Sequence, residues 1–331
     1  MSNENRLLCL DALRIGSCFS VFFFHLVSWT QSESFIYEIS RYGFIGVYWF
    51  FYISGILAIN SLSIYGNYFL VRRFLVVFPP FFLIGVLIAI GSFFYQPFKI
   101  IDLISHFFFI HPSFFSLFGV NPIFLDGVFW TIFIEVYFYV FIWLYYLIIK
   151  KKLTRPRLLF WGTLGVNSII LGLDPSLISV LKVCGLFYFP FFFVGIARWF
   201  GDDSLSRLIL DLGMLSFYGL IHGIFAFSEV LVFSGVILLF DLILRGRTDG
   251  TPKIVAFFSV LTYPLYLCHA FVIETVFSVI DLKYMAFTGS VVLSCALAWS
   301  LHIASKKLVK VIFPWAIVFE KKNENTFDGV R

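Results

Sequence analysis

Apolar residues run along the chain in blocks far too long for the alternation of a half-buried strand or the stripe of an amphipathic surface helix. Sustained blocks fall near 7–29, 44–63, 75–95, 127–149, 158–173, 177–199, 208–222, 224–244, 254–277 and 285–305. A helix needs about 20 apolar residues to cross a bilayer, so the pattern predicts an all-α polytopic bundle of about ten transmembrane helices. The stretch 100–125, IDLISHFFFIHPSFFSLFGVNPIFL, is aromatic but interrupted by Pro112 and Pro122. It reads as an outward loop lying partly in the membrane interface.

Composition agrees with that pattern. The 331 residues are 60% hydrophobic, 21% aromatic and only 13% charged, with a mean hydropathy of +0.96. Soluble domains carry about 25% charged residues; this chain has too few to cover a water-facing exterior. We expect one integral-membrane domain over 1–331, with a short cytoplasmic tail from about 306. No small-residue cleavage site follows the first apolar block, so it reads as a retained helix.

The net charge of +5 does not point to nucleic acid, because the basic residues are scattered between apolar blocks. Their distribution instead sets orientation, since basic loops stay on the cytoplasmic side. With the N-terminus inside, the inward segments hold Arg6, Arg72, Arg73, Lys150, Lys151, Lys152, Arg155, Arg157, Arg198, Arg207, Arg245, Arg247, Lys253, Lys306, Lys307, Lys310, Lys321, Lys322 and Arg331. That is 19 of the 24 Lys and Arg. Only Arg41, Lys99, Lys182 and Lys283 fall outward, so both termini are expected in the cytoplasm. The five cysteines (Cys9, Cys18, Cys184, Cys268, Cys295) are odd in number and lack a CxxC pair. They read as small buried apolar residues.

Ionisable side chains within apolar blocks cost about 2.5–3.5 kcal/mol each by insertion scales, which makes them functional candidates. The first block holds Asp11, Arg14 and His25. Eleven residues separate Arg14 from His25, which at 100° per residue returns to within about 20° of one face after a climb of about 16 Å. Asp11 lies one turn from Arg14 and can pair with it. A shallow structural ion pair plus an interfacial histidine fits the same spacing. Glu135, in WTIFIEVYFYV, falls at a depth where it could accept the second ring N–H of His25 and raise its basicity; a protonated, structurally bonded Glu135 is the alternative. Arg72 and Arg73 fit either positive-inside anchors or a phosphate site. Tyr263, Tyr266 and His269 cluster within two turns, as supporting hydrogen-bond partners. His106 and His111 are five apart, a poor spacing for one helical face, so we assign no metal; His222 and His302 receive no role.

LDALRIGSCFSVFFFH resembles the Arg-to-His signature of the integral-membrane acyltransferase 3 family. Four further segments match in the family's order: GVYWFFYISGIL (46–57), FLVRRFLVVFPPF (69–81), WTIFIEVYFY (130–139) and LTYPLYLCHAF (261–271). Two departures stand out, Tyr48 where an acid is common and Val76 where a second arginine is. The resemblance implies an enzyme of the bacterial inner membrane that moves an acyl group, commonly acetyl, from cytoplasmic acyl-coenzyme A to a sugar hydroxyl of a surface glycan such as O-antigen or capsule. It carries functional roles to Arg14 and His25. The resulting expectation makes His25 the base, supported by Glu135, with Arg14, Arg72 and Arg73 on the donor side and acyl-coenzyme A, a glycan or lipid-linked glycan and membrane lipid as partners. A glycolipid flippase using the same polar residues is the alternative, although no inverted repeat is visible. A glycan polymerase would carry an outward loop rich in Arg.

Overall fold

A computed structural model describes residues 3–30, 35–93, 98–116, 118–149, 156–174, 177–200, 204–245 and 252–314. The predicted basic positions Lys150, Lys151, Lys152, Arg155, Arg247, Lys321, Lys322 and Arg331, and the tail past 314, lie outside the described residues. Every described element is helical: α1 (Asn3–Ser28), α2 (Phe35–Ser40), α3 (Gly46–Tyr65), α4 (Phe69–Ser92), α5 (Ile100–Phe107), α6 (Pro112–Ser116), α7 (Trp130–Ile148), α8 (Pro156–Leu173), α9 (Ile178–Val183), α10 (Phe189–Phe200), α11 (Leu205–Ile221), α12 (Phe227–Arg245), α13 (Lys253–Val279) and α14 (Lys283–Ile312). Among the described residues five stretches are long and apolar enough to cross a membrane: Leu10–Ser28, Phe35–Ser92, Gly127–Ile148, Lys253–Val279 and Lys283–Ile312. Phe35–Ser92 itself contains both α3 and α4. The chain is a multi-pass membrane protein.

All ten apolar blocks coincide with helix, with one break. The block 177–199 is divided into α9 and α10 by a turn over Cys184–Tyr188, where Gly185 takes a φ of +80° that a side chain would resist. The stretch 100–125, expected as a loop, carries two short helices, α5 and α6. Helix α5 is clamped by Asp102, whose carboxylate accepts from the backbone N–H of Lys99 and of Ile123, both at 2.8 Å. His106 is buried and stacks on Phe81 of α4 with ring centroids 4.0 Å apart. The cysteine expectation fails in part: Cys18 and Cys268 are buried, but Cys184, in the turn, and Cys295, on an outer face of α14, are exposed.

Lipid offers no hydrophobic drive for helices to associate, so small residues and hydrogen bonds set the packing. Helix α3 lies against α10 through Gly55 and Gly195, where an added Cβ would stand 2.8 Å from the carbonyl carbon of Phe192 and 3.1 Å from that of Tyr52. Helix α1 packs along α13 with the two chains running in one direction: Arg14 reaches Ser259, the thiol of Cys18 donates to the Thr262 carbonyl at 3.2 Å, and His25 meets His269. Helices α13 and α14 form a hairpin behind this pair. The interface of α1, α3, α4, α7 and α13 gathers Asp11, Arg14, Arg73, Glu135 and His269, while two further ion pairs with buried carboxylates, Arg198–Asp241 and Arg157–Asp211, link α10 to α12 and α8 to α11.

Candidate active site

Helix α1 turns both Arg14 and His25 toward α13, as their spacing predicts. At the lower level, Arg14 Nη1 donates to Ser259 Oγ (3.4 Å) and Ser259 Oγ donates to Asp11 Oδ1 (2.5 Å), while Arg14 and Asp11 stand 3.7 Å apart. A serine from α13 thus bridges the ion pair of α1. Such a bridge lowers the expense of holding two charges out of water, because each charged group gains a hydrogen bond. Arg14 also lies within electrostatic reach of Arg73, Tyr139 and Glu135.

Glu135, half-buried on α7, is organised by two hydroxyls. Ser54 of α3 donates to it at 2.6 Å, and Tyr139, one turn along α7, donates through a short hydrogen bond. The Tyr139 ring in turn lies under the Arg73 guanidinium, 4.9 Å from centroid to carbon, and Arg73 donates to the Leu57 carbonyl. Glu135 therefore belongs to the Arg73 side of the site. Among the described residues it bonds Ser54 and Tyr139 and not His25, which corrects the expected Glu135–His25 contact; α3 intervenes with a nearer donor. Arg73 points into the bundle, whereas Arg72 sits 5.7 Å over the Tyr65 ring. The neighbouring arginines therefore face different surroundings. Val76 is 42% exposed on α4.

At the upper level His25 lines a cavity of about 370 Å³. Its wall includes Phe24, Phe44, Tyr48, Asp126, Trp130, Tyr266 and Glu274. Behind His25, at 5.2 Å between ring centroids, lies the fully buried His269, whose Nδ1 donates to the Tyr266 carbonyl at 2.6 Å. In the neutral ring this leaves Nε2 as a lone pair, and it has no hydrogen-bond partner among the described residues. Tyr266 ties His269 to the start of α7. Its hydroxyl is 2.8 Å from Thr131 Oγ1 and 3.4 Å from the Val128 carbonyl, and its ring flanks His269 at 5.5 Å. Tyr263 donates to the Val77 carbonyl at 3.0 Å, fastening α13 to α4 beside Pro79 and Pro80.

The expected candidates thus divide between two levels of the bundle. Asp11, Arg14, Arg73 and Glu135 share the lower one and His25, Tyr266 and His269 the upper, while Arg72 lies over the Tyr65 ring. Sequence reasoning missed Ser54, Tyr139, Ser259, Asp126 and Glu274. Two were within reach of pattern: Tyr139 stands at i+4 from Glu135, and Glu274 is an acid inside an apolar block. Asp126 announces itself only as the cap ahead of α7, accepting the Val128 N–H at 3.0 Å. Ser54 and Ser259 look like any small residue of a membrane helix until the fold brings their partners near.

A family model described as an acyltransferase domain, acyltransferase 3, matches residues 7–303. No curated protein and no solved structure matches the chain.

Proposed function

The chain belongs to the acyltransferase 3 family, and from that premise we propose that it is an O-acyltransferase of the bacterial inner membrane. In this reading it carries an acyl group, acetyl above all, from cytoplasmic acyl-coenzyme A to a hydroxyl of a surface polysaccharide such as O-antigen or capsule, or of its lipid-linked precursor. The observation that supports it is the position of His25: on the same helical face as Arg14, three turns along α1 from the Arg14–Ser259–Asp11 cluster, and opening onto a cavity.

A sugar hydroxyl is a weak nucleophile at neutral pH. His25 removes its proton as the oxygen attacks the thioester carbonyl, a contribution of about 10²–10⁴-fold for a positioned base. The tetrahedral oxyanion collapses, the carbon–sulfur bond breaks, and the thiolate of coenzyme A leaves, taking up the proton held by the imidazole. Arg14 serves the donor side, fixed by Asp11 and Ser259. Arg73 and Glu135, locked through Tyr139, Ser54 and the Leu57 carbonyl, keep the lower level beside Arg14 in one arrangement, and Arg72 supplies charge for the phosphates of the donor. His269 and Tyr266 stand behind the base as positioning residues.

The test is mass analysis of surface glycan from cells carrying wild-type protein or His25→Ala, with membrane levels of the two matched. The expected outcome is loss of the acyl group in the variant. Retained acylation would remove His25 from the role of base, and unacylated glycan in the wild type would remove the activity itself.

A further inference from the structure

The cavity beside His25 has an uneven chemical lining. Flat apolar surfaces come from Trp130, Phe24 and Phe44, while Asp126, Glu274 and Tyr48 supply oxygen atoms. Among the described residues of the wall His25 is the one basic side chain, with no Lys or Arg beside it. Tyr48 is 9% exposed overall and lines the cavity, and its hydroxyl is not among the buried side-chain atoms left without a partner. Its ring is held between Phe191 and Phe225, with centroids 4.7 and 4.8 Å away, so the hydroxyl has a fixed place. A hydroxyl fixed in the wall of a cavity is placed to donate to or accept from a group that enters it.

On the transfer reaction proposed above, we infer that this cavity seats the acceptor, that Tyr48, Asp126 and Glu274 hold its hydroxyls, and that it admits an uncharged sugar residue in preference to an acidic one. A pyranose presents several O–H donors and an apolar C–H face. Carboxylates accept the former with charge-assisted strength, and aromatic rings cover the latter. The volume falls at the small end of the range of about 300–1,000 Å³ typical of small-molecule sites. A uronic or sialic acid would bring its carboxylate against Asp126 and Glu274 with no lysine or arginine among the described residues of the wall to offset the repulsion, a built-in rejection of the kind that gives specificity.

The experiment uses membranes containing the full chain, acetyl-coenzyme A as donor, and unacylated polysaccharide from cells lacking the gene as acceptor. Tyr48→Phe, Asp126→Asn and Glu274→Gln each preserve shape. The Michaelis constant for polysaccharide is expected to rise about fivefold for Tyr48→Phe and about tenfold or more for each carboxylate change, with that for acetyl-coenzyme A unchanged. On wild-type membranes, methyl glucoside should inhibit transfer at lower concentration than methyl glucuronide, a comparison that needs no variant. Unaltered acceptor dependence in all three variants, or equal inhibition by the two glycosides, would overturn the inference and leave the transfer reaction standing. No transfer by wild-type membranes from acetyl- or longer acyl-coenzyme A would overturn both.

Discussion

Replacing Gly55 by alanine introduces one methyl group where α3 and α10 touch backbone to backbone. The new Cβ would lie 2.8 Å from the Phe192 carbonyl carbon and closer still to its oxygen. Ordinary contact begins near 3.4 Å, so the helices must part by at least 0.6 Å, the difference of those two figures. Nothing flexible lies in the way to absorb the shift. Phe192 stacks on Phe51 at 4.7 Å and on Phe138 at 4.1 Å, so the separation also opens a packed aromatic column. Overpacking of this kind costs about 1–3 kcal/mol, against a gain of about 0.8–1 kcal/mol from the better helix propensity of alanine. A net loss of up to about 2 kcal/mol is expected. The neighbour Ser54 moves with the helix and loses its 2.6 Å bond to Glu135, so acyl transfer should fall as well. The assay is SDS titration of purified protein, with Gly165→Ala and Gly235→Ala as controls, since a Cβ at either meets nothing within 4 Å. The controls should match or exceed wild-type stability. Adding Gly195→Ala to Gly55→Ala should cost less than the sum of the two, because the first already separates the helices. If Gly55→Ala unfolds at the same SDS fraction as the controls, the close approach of α3 and α10 is not what holds this part of the bundle together.

Two further outcomes follow from the site. Burial pushes the Asp126 carboxyl up from 3.8 to about 6, with Glu274 adding to the rise and the Val128 N–H opposing it. The folded state therefore binds a proton that the unfolded state has already released, and stability contributed by this group should decline as pH rises from about 4 to about 6, then level off. Asp126→Asn should abolish that slope in thermal unfolding followed against pH; an identical slope in the variant would show that the carboxyl does not titrate there. Ser259→Ala removes the bridge between Arg14 and Asp11, a hydrogen bond to charge worth about 1.5–3 kcal/mol. Steady-state kinetics should then show a rise of about tenfold or more in the Michaelis constant for acyl-coenzyme A; an unchanged value would detach Arg14 from the donor side.

The part of the fold that the sequence discloses is the part where one physical constraint dominates. Charged residues are so expensive in lipid that Asp11, Arg14 and Glu135 had to face protein, and helix periodicity alone placed Arg14 and His25 on one stripe. Apolar length likewise located every long helix. Where several weak constraints compete, the pattern is silent. The break at Gly185 is invisible because glycine is common within membrane helices. The folding of 100–125 onto α4 depends on Asp102 capping backbone groups from two separate segments. The true neighbours of Glu135 were decided by Ser54 and Tyr139, through contacts across 81 and 4 positions of chain. Only the nearer of these lies within the reach of a periodicity rule.

Because Arg14 and His25 stand on a single uninterrupted rod, α1 acts as a ruler with no adjustable joint. Eleven residues at 1.5 Å each hold them about 16 Å apart along its length, whatever the surrounding loops do. One extra residue inserted between them would swing His25 by about 100° away from its chamber while leaving Arg14 untouched, so in this chain the connecting segments can change length more freely than the interval within this one helix.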